Sequence, residues 1–248
     1  MGSAYTESMN IVKTDGPDRV RDALVERIWD RLSENAPVLF LASGGSTAPI
    51  AASVCQTLVA RHPDDKAALR LLFAVTLADE RFGPEGHNDS NWRRLLENGL
   101  DPRAVASFPV IKGRGESDDD LDASVRRFDS FLADAVGRHA AGDLFIAGLF
   151  GIGKGGFTAG ILPESPIAVM PQGGGPFAAS YKSALFTRIT ITPALFTHVD
   201  FAVAWASGTE KKADLSSIRE AGPYSEKPAR LIELARESIV FADREAAP

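Results

Sequence analysis

Apolar positions alternate along this chain between a helical rhythm and short continuous runs. Val20, Leu24, Ile28 and Leu32 return at four-residue spacing within residues 18–35, which predicts one buried face of a helix. Pro37 stops it, and the run Val38-Leu39-Phe40-Leu41-Ala42 predicts a strand buried on both faces. That strand opens into Ser43-Gly44-Gly45-Ser46-Thr47, after which residues 49–61 read as a helix. Residues 69–78, apolar almost throughout, predict a second strand that ends in Asp79-Glu80-Arg81. A polar loop broken by Gly and Pro follows, then a short helix through Leu96. Ser117 with Asp120 three residues on resembles a capping box, and Leu121, Val125, Phe128, Leu132 and Ala135 continue one helical face.

The next strand is predicted at residues 144–147, running into a glycine-rich segment at 148–158. Residues 188–192, 201–206 and 238–242 predict three more, with a helix starting after Ser207-Gly208-Thr209-Glu210-Lys211-Lys212. Strand and helix alternate, and no low-complexity linker or internal repeat divides them. The expectation is therefore one domain over residues 1–248. Its class is α/β, a three-layer α/β/α Rossmann-like fold with a mostly parallel sheet and helices on both faces. Polar residues gather after strand ends, where open α/β sheets place ligand sites.

Composition narrows this picture little. At 248 residues one core suffices. A hydrophobic fraction of 44% with 24% charged residues is ordinary for a globular protein. The apolar runs fall short of the ~20 residues that span a bilayer, so no membrane segment is expected. Met1-Gly2-Ser3-Ala4 shows no basic stretch followed by an apolar run, so a cytoplasmic protein without a secretory signal is expected. A net charge of −6 excludes an extended nucleic-acid surface but allows a small basic pocket for an anionic metabolite. Cys55, the single cysteine, reads as a small core residue. Asp118-Asp119-Asp120 reads as an acidic helix start rather than a metal cluster, and His62, His139 and His198 read as surface residues.

Three stretches and one further residue, Arg188, carry candidate chemistry. In Ser43–Thr47, small residues before a helix start let the backbone approach an anion and offer it free N–H groups. The segment lacks a Walker A lysine and the G-x-G-x-x-G spacing, so nucleotide binding gains no support. Asp79 and Glu80 offer carboxylates for proton transfer beside the Arg81 guanidinium. Lys211 and Lys212 at a helix start run against the dipole, a position eased by a bound anion. Arg188 opens a strand after a polar loop.

In order and spacing these motifs resemble the 6-phosphogluconolactonase family and its relatives, the glucosamine-6-phosphate isomerase/deaminases. The resemblance spans nearly the whole chain. It rests on residues 41–47, on Asp79-Glu80-Arg81 with Asp89-Ser90-Asn91, on residues 151–163, on Arg188-Ile189-Thr190 and on Ser207-Gly208-Thr209-Glu210-Lys211, and extends into the tail at Gly222-Pro223-Tyr224 and residues 239–243. It implies a small phosphorylated sugar as partner, with Ser43, Gly44, Gly45, Ser46, Thr47, Arg188 and Lys211 around the phosphate and Arg81 at the same pocket. It also implies hydrolysis of the ring ester of 6-phosphogluconolactone without metal or cofactor.

One motif departs. The family pattern Gly-Met-Gly-x-Asp-Gly-His-Thr-Ala-Ser-Leu-Phe-Pro here reads Gly151-Ile152-Gly153-Lys154-Gly155-Gly156-Phe157-Thr158-Ala159-Gly160-Ile161-Leu162-Pro163. Gly155 replaces the aspartate, and Phe157 replaces the histidine that the resemblance assigns to water activation. Three additional residues, 149–151, precede the motif and are expected to displace the loop. Asp79, Glu80 and His87 are the candidate substitute bases, and the backbone N–H groups of Gly155 and Gly156 the candidates to polarise the lactone carbonyl. Two alternatives stay open: a non-catalytic phosphosugar binder, and an aldose-ketose isomerase or deaminase in which Asp79 shuttles the proton.

Overall fold

The computed structural model describes residues 9–62 and 66–248; Met1–Ala4, and with them the reading of the N-terminus, lie outside the described residues. In chain order the elements are β1 (Ile11–Lys13), α1 (Asp18–Ser33), β2 (Val38–Ala42), α2 (Ala48–Arg61), α3 (Lys66–Leu72), β3 (Phe73–Leu77), β4 (Asp79–Arg81), α4 (Asn91–Glu97), β5 (Ala106–Phe108), α5 (Asp118–Ala140), β6 (Phe145–Gly151), β7 (Ala178–Lys182), β8 (Thr187–Ile191), α6 (Pro193–Phe196), β9 (Phe201–Ala206), α7 (Lys212–Ile218) and β10 (Glu237–Ala242). Short 3₁₀ turns precede α2 at Gly45–Thr47 and α7 at Thr209–Lys211, and a longer one, Pro228–Leu234, leads to β10.

Seven strands form one parallel sheet in the order β1-β10-β9-β6-β2-β3-β5. The α/β class read from the sequence is therefore the observed one. Every residue of β2 and of β9 is buried, as expected of central parallel strands covered on both faces. Helix α1 turns Val20, Leu24, Ile28 and Leu32 inward and packs on α2, β6 and β9. Ser117 caps α5 by accepting from the Asp120 N–H, so the acidic run is a capped helix start.

A second, antiparallel sheet, β4-β8-β7, was not foreseen. Asp79-Glu80-Arg81 does not simply end β3; it forms the separate strand β4, paired with β8. Strand β7, with Ala-Ala-Ser-Tyr-Lys, carries no β-branched residue to announce it. The expected strand at 69–78 begins only at Phe73, because the Ala, Leu and Arg residues before it are strong helix formers and make α3. Residues 149–151, expected to displace the loop, instead extend β6 to Gly151 and pair with Val203, Ala204 and Trp205 of β9. Before β10 the tail carries the Pro228–Leu234 3₁₀ turn, which Pro228 opens and the extended Ala235 ends. His139 and His198, expected on the surface, are half-buried and meet edge to face at 5.8 Å, with Asp200 Oδ1 3.2 Å from His139 Nε2. Cys55 is buried in the core, where desolvation pushes its thiol up to about 12.

Candidate active site

The strand ends of the parallel sheet meet the second sheet at a cavity of about 200 Å³. Each wall comes from a segment that leaves a strand. Ser43, Gly44, Gly45 and Ser46 follow β2; Asp79 and Arg81 lie on β4; Gly151, Ile152 and Gly153 close β6; Arg188 lies on β8; and Lys211 comes from the turn after β9. The rest of the lining is Asn91, Phe157, Ala159 and Gly160. Strand C-termini converging at one end of a parallel sheet are where this architecture exposes loop backbone and helix starts to a ligand.

The cavity is cationic and carries polar groups without partners. Ser43 Oγ, Arg81 Nε and Arg188 Nε are all buried and unbonded, and buried donors of this kind are costly unless something fills them. In the turn at Gly45–Thr47 the Thr47 N–H donates to the Gly44 carbonyl at 3.3 Å, while the N–H groups ahead of it stand at a helix start, where none has an intrahelical acceptor. Lys211, with its side chain only 16% exposed, has a single long contact, 3.7 Å to Glu210 Oε1. Together these groups describe a site for an anion with several oxygens.

Among the described residues, Asp79 is the only carboxylate in the lining. It is buried, and desolvation pushes its pKa up, opposed by the charges of Arg81 and Arg188 and by a hydrogen bond with Asn91. Arg188 Nη1 stands 3.4 Å from its Oδ2. The carboxylate lies so close to the chain at Gly160 that a Cβ there would sit 2.5 Å from Oδ2. Tyr181 fixes this segment by donating to the Gly160 carbonyl at 2.6 Å.

Glu80, the next residue on the same short strand, faces elsewhere. Its Oε1 accepts from the Arg81 and Asn91 N–H groups, both at 2.7 Å, and its Oε2 from Ser90 Oγ at 3.0 Å and the Trp92 N–H at 2.9 Å. It is absent from the cavity lining, and with every lone pair engaged it fastens the 90–92 segment to β4. His87 is also outside; its Nε2 lies 2.9 Å from the Arg81 carbonyl, and it lines a separate cavity. Of the three substitute bases expected, the structure brings only Asp79 to the site.

Two further expectations change. Thr47 is buried and donates to the Gly44 carbonyl at 2.7 Å, so its hydroxyl closes the turn instead of facing the cavity. The Gly155 N–H donates to Asp214 Oδ2 at 2.8 Å and the Gly156 N–H to the Gly153 carbonyl at 3.0 Å, so neither is available to polarise a carbonyl. Asp214 is itself held by Lys227 Nζ at 3.1 Å. Lys212 is exposed and outside the lining, while Lys211 is inside it.

Phe157 lines the cavity. Its ring folds onto Gly153, where a Cβ would sit 2.0 Å from Cε1, and the Gly153 N–H closes the loop on the Phe157 carbonyl at 2.9 Å. With Ile152 and Ala159 it forms an apolar wall. Asn91 was the residue missed as a site group: its Nδ2 donates to the Asp79 carbonyl at 2.9 Å and its Oδ1 accepts from Arg81. Its place in the Asp89-Ser90-Asn91 motif was the available signal.

Fold and site together define an α/β protein with a cationic cavity at the carboxyl end of a parallel sheet. The chain belongs to the family described as glucosamine-6-phosphate isomerases/6-phosphogluconolactonase, whose model matches residues 13–241. It is 26% identical over 217 residues to a 6-phosphogluconolactonase of Neisseria meningitidis, covering 85% of this chain and 86% of that one. The 6-phosphogluconolactonases of Trypanosoma cruzi and Trypanosoma brucei share the fold. The first has a TM-score of 0.74 at 20% identity, covering 99% of this chain and 98% of that one. The second has a TM-score of 0.71 at 21% identity, covering 96% and 97%.

Proposed function

We propose that this chain, acting as one domain in the cytoplasm, binds a phosphorylated sugar and hydrolyses the ring ester of 6-phosphogluconolactone to 6-phosphogluconate, a step of the pentose phosphate pathway. The observation that carries the reading is the convergence in one cavity of unpartnered Ser43 Oγ, Arg81 Nε and Arg188 Nε with Lys211 and a single carboxylate, Asp79. Membership of the family and the names of the relatives support the same substrate class.

The groups divide the work by charge. A phosphate dianion satisfies the two guanidiniums, the ammonium and the N–H groups at the start of α2. Asp79, made more basic by burial, takes a proton from water as its oxygen bonds to the lactone carbonyl carbon. The tetrahedral intermediate then collapses: the bond from that carbon to the ring oxygen breaks, and the ring oxygen leaves with the proton returned from Asp79. Lactone and one water become the acid, with no other reactant. Opening of 6-phosphogluconolactone by the purified protein, followed as acid release, should exceed the spontaneous rate; parity with the uncatalysed control overturns the reading.

Phe157 favours a second reading, a phosphosugar binder without turnover, because the residue that the family resemblance assigns to water activation is here a hydrocarbon in the cavity wall. Its signature is a thermal shift with 6-phosphogluconate and no opening of any lactone. The isomerase/deaminase alternative is separated by assaying ammonia release from an amino-sugar phosphate and ketose formation from an aldose phosphate.

A further inference from the structure

Phe186 does not line the cavity, yet it touches both of the guanidiniums that do. The Arg81 Cζ lies over its ring at 5.7 Å from the centroid and the Arg188 Cζ at 5.4 Å. Both distances are within the range where the negative face of an aromatic ring attracts a cation. These two arginines are directly opposite each other in the β4–β8 ladder, a placement that repels, and each keeps a buried Nε without a partner. Their outer nitrogens are tied to protein, Arg81 to Asn91 and the Asp89 carbonyl, Arg188 to Asp79. Ordinary hydrogen bonding thus holds each guanidinium at its edge and leaves its plane to be fixed by something else.

The backbone that carries the ring is fixed. Phe186 closes the β7–β8 hairpin, where the Ser183 N–H donates to the Phe186 carbonyl at 2.8 Å, Ser183 Oγ donates to the same carbonyl at 2.8 Å, and the Phe186 N–H donates back to Ser183 Oγ at 3.2 Å. The next residue, Thr187, accepts from the Phe82 N–H of the neighbouring chain segment at 2.8 Å. A half-buried aromatic at a hairpin end, anchored through its own backbone, lies against two like charges.

We infer that Phe186 is a positioning residue for anion recognition: held by Ser183, its ring keeps the planes of Arg81 and Arg188 oriented toward a phosphate and offsets their mutual repulsion while the site is empty. The inference rests on the anion-binding part of the proposed function and not on turnover. Phe186→Leu preserves apolar bulk and removes the π face; inorganic phosphate should then bind about tenfold more weakly by calorimetric titration. In lactone hydrolysis KM should rise by a similar factor while kcat falls far less. Phe186→Tyr, which keeps the ring face, should restore both values. A Leu variant that binds phosphate like the parent, or a Tyr variant as weak as the Leu variant at equal Tm, overturns the inference. Should Phe186→Leu fail to fold, Ser183→Ala leaves the ring and removes the two hydroxyl bonds that anchor its backbone: weakened phosphate binding supports the role, and unchanged binding overturns it. If the parent chain opens no lactone, the functional reading falls, and the phosphate titration alone still decides for Phe186.

Discussion

Arg81 and Arg188 stand directly opposite each other across the antiparallel β4–β8 ladder, and both line the cavity. Like charges in that register destabilise a sheet, a repulsion that a bound anion offsets. Inorganic phosphate should therefore raise Tm, by the equivalent of about 2.7 kcal/mol at a hundred times its Kd, and the shift should shrink with added salt. Arg81→Met should abolish most of that shift. Arg188→Met should abolish it too and in addition lower the Tm of the unliganded protein, because it removes the guanidinium bonded to buried Asp79, a loss of up to about 3–5 kcal/mol that the remaining Arg81 charge reduces. Thermal melts with and without phosphate check this, and a full phosphate shift in Arg81→Met would falsify the placement of the anion.

Asp79 separates activity from stability. If it is the base, Asp79→Asn should lower kcat by about 10² to 10⁴ while leaving phosphate binding in place. Burial raises its pKa in the folded chain above the unfolded value, so the folded state prefers the carboxyl protonated. Its favourable contribution is fully present below the ordinary carboxylate pKa and is lost as pH rises through the raised folded one. Two consequences follow for pH titrations. Activity should fall on the acid side with a midpoint above that of a free aspartate, and Asp79→Asn should gain stability relative to the parent near neutral pH but not at strongly acidic pH. An acid limb that persists in the Asn variant would assign it to another group.

Glu80 should behave in the opposite way. Its two oxygens receive four donors, two each, so in Glu80→Gln the amide NH₂ must face two hydrogen-bond donors. A loss of roughly 2–4 kcal/mol is expected from the clash and the unpaired donors, read as a lower urea midpoint at unchanged slope. Activity should drop only as far as Arg81 and Asn91, which hang from the same carboxylate, are displaced. A stable Glu80→Gln with abolished turnover would return Glu80 to the chemistry.

The parallel sheet was legible because its central strands are buried on both faces and so are written as unbroken apolar runs, as in Val38–Ala42 and Phe201–Ala206. The second sheet was not, because β4 and β7 are short, half-polar and held by partners distant in sequence, Asp79 pairing with Thr190 and Ala178 with Ile191. The same limit governs the site. Residue type and position after a strand brought out Ser43, Arg81, Arg188 and Lys211, whereas the fate of each polar atom depends on contacts across the fold. Thr47 folds back on Gly44, Gly155 is claimed by Asp214 from 59 residues away, and Glu80 is consumed by the 90–92 segment. Nothing in the local sequence distinguishes the carboxylate of Asp79, which faces the cavity, from that of its neighbour.

Gly44 offers a test of how tightly this network is packed. Its φ of −87° suits any residue, so substitution acts through space alone: a Cβ there would lie 1.8 Å from Asn91 Oδ1 and 2.1 Å from its Cγ. In Gly44→Ala the asparagine must swing away. That removes the acceptor of the Arg81 guanidinium and the donor to the Asp79 carbonyl, while Glu80 still holds the Asn91 backbone. Phosphate affinity should fall about tenfold, one good charge-assisted hydrogen bond. Asn91→Gly alone should cost a similar factor, and the double variant no more than either, since each removes the same contact. Independent, multiplicative losses in that cycle would show that Gly44 serves the anion directly and not by making room for Asn91.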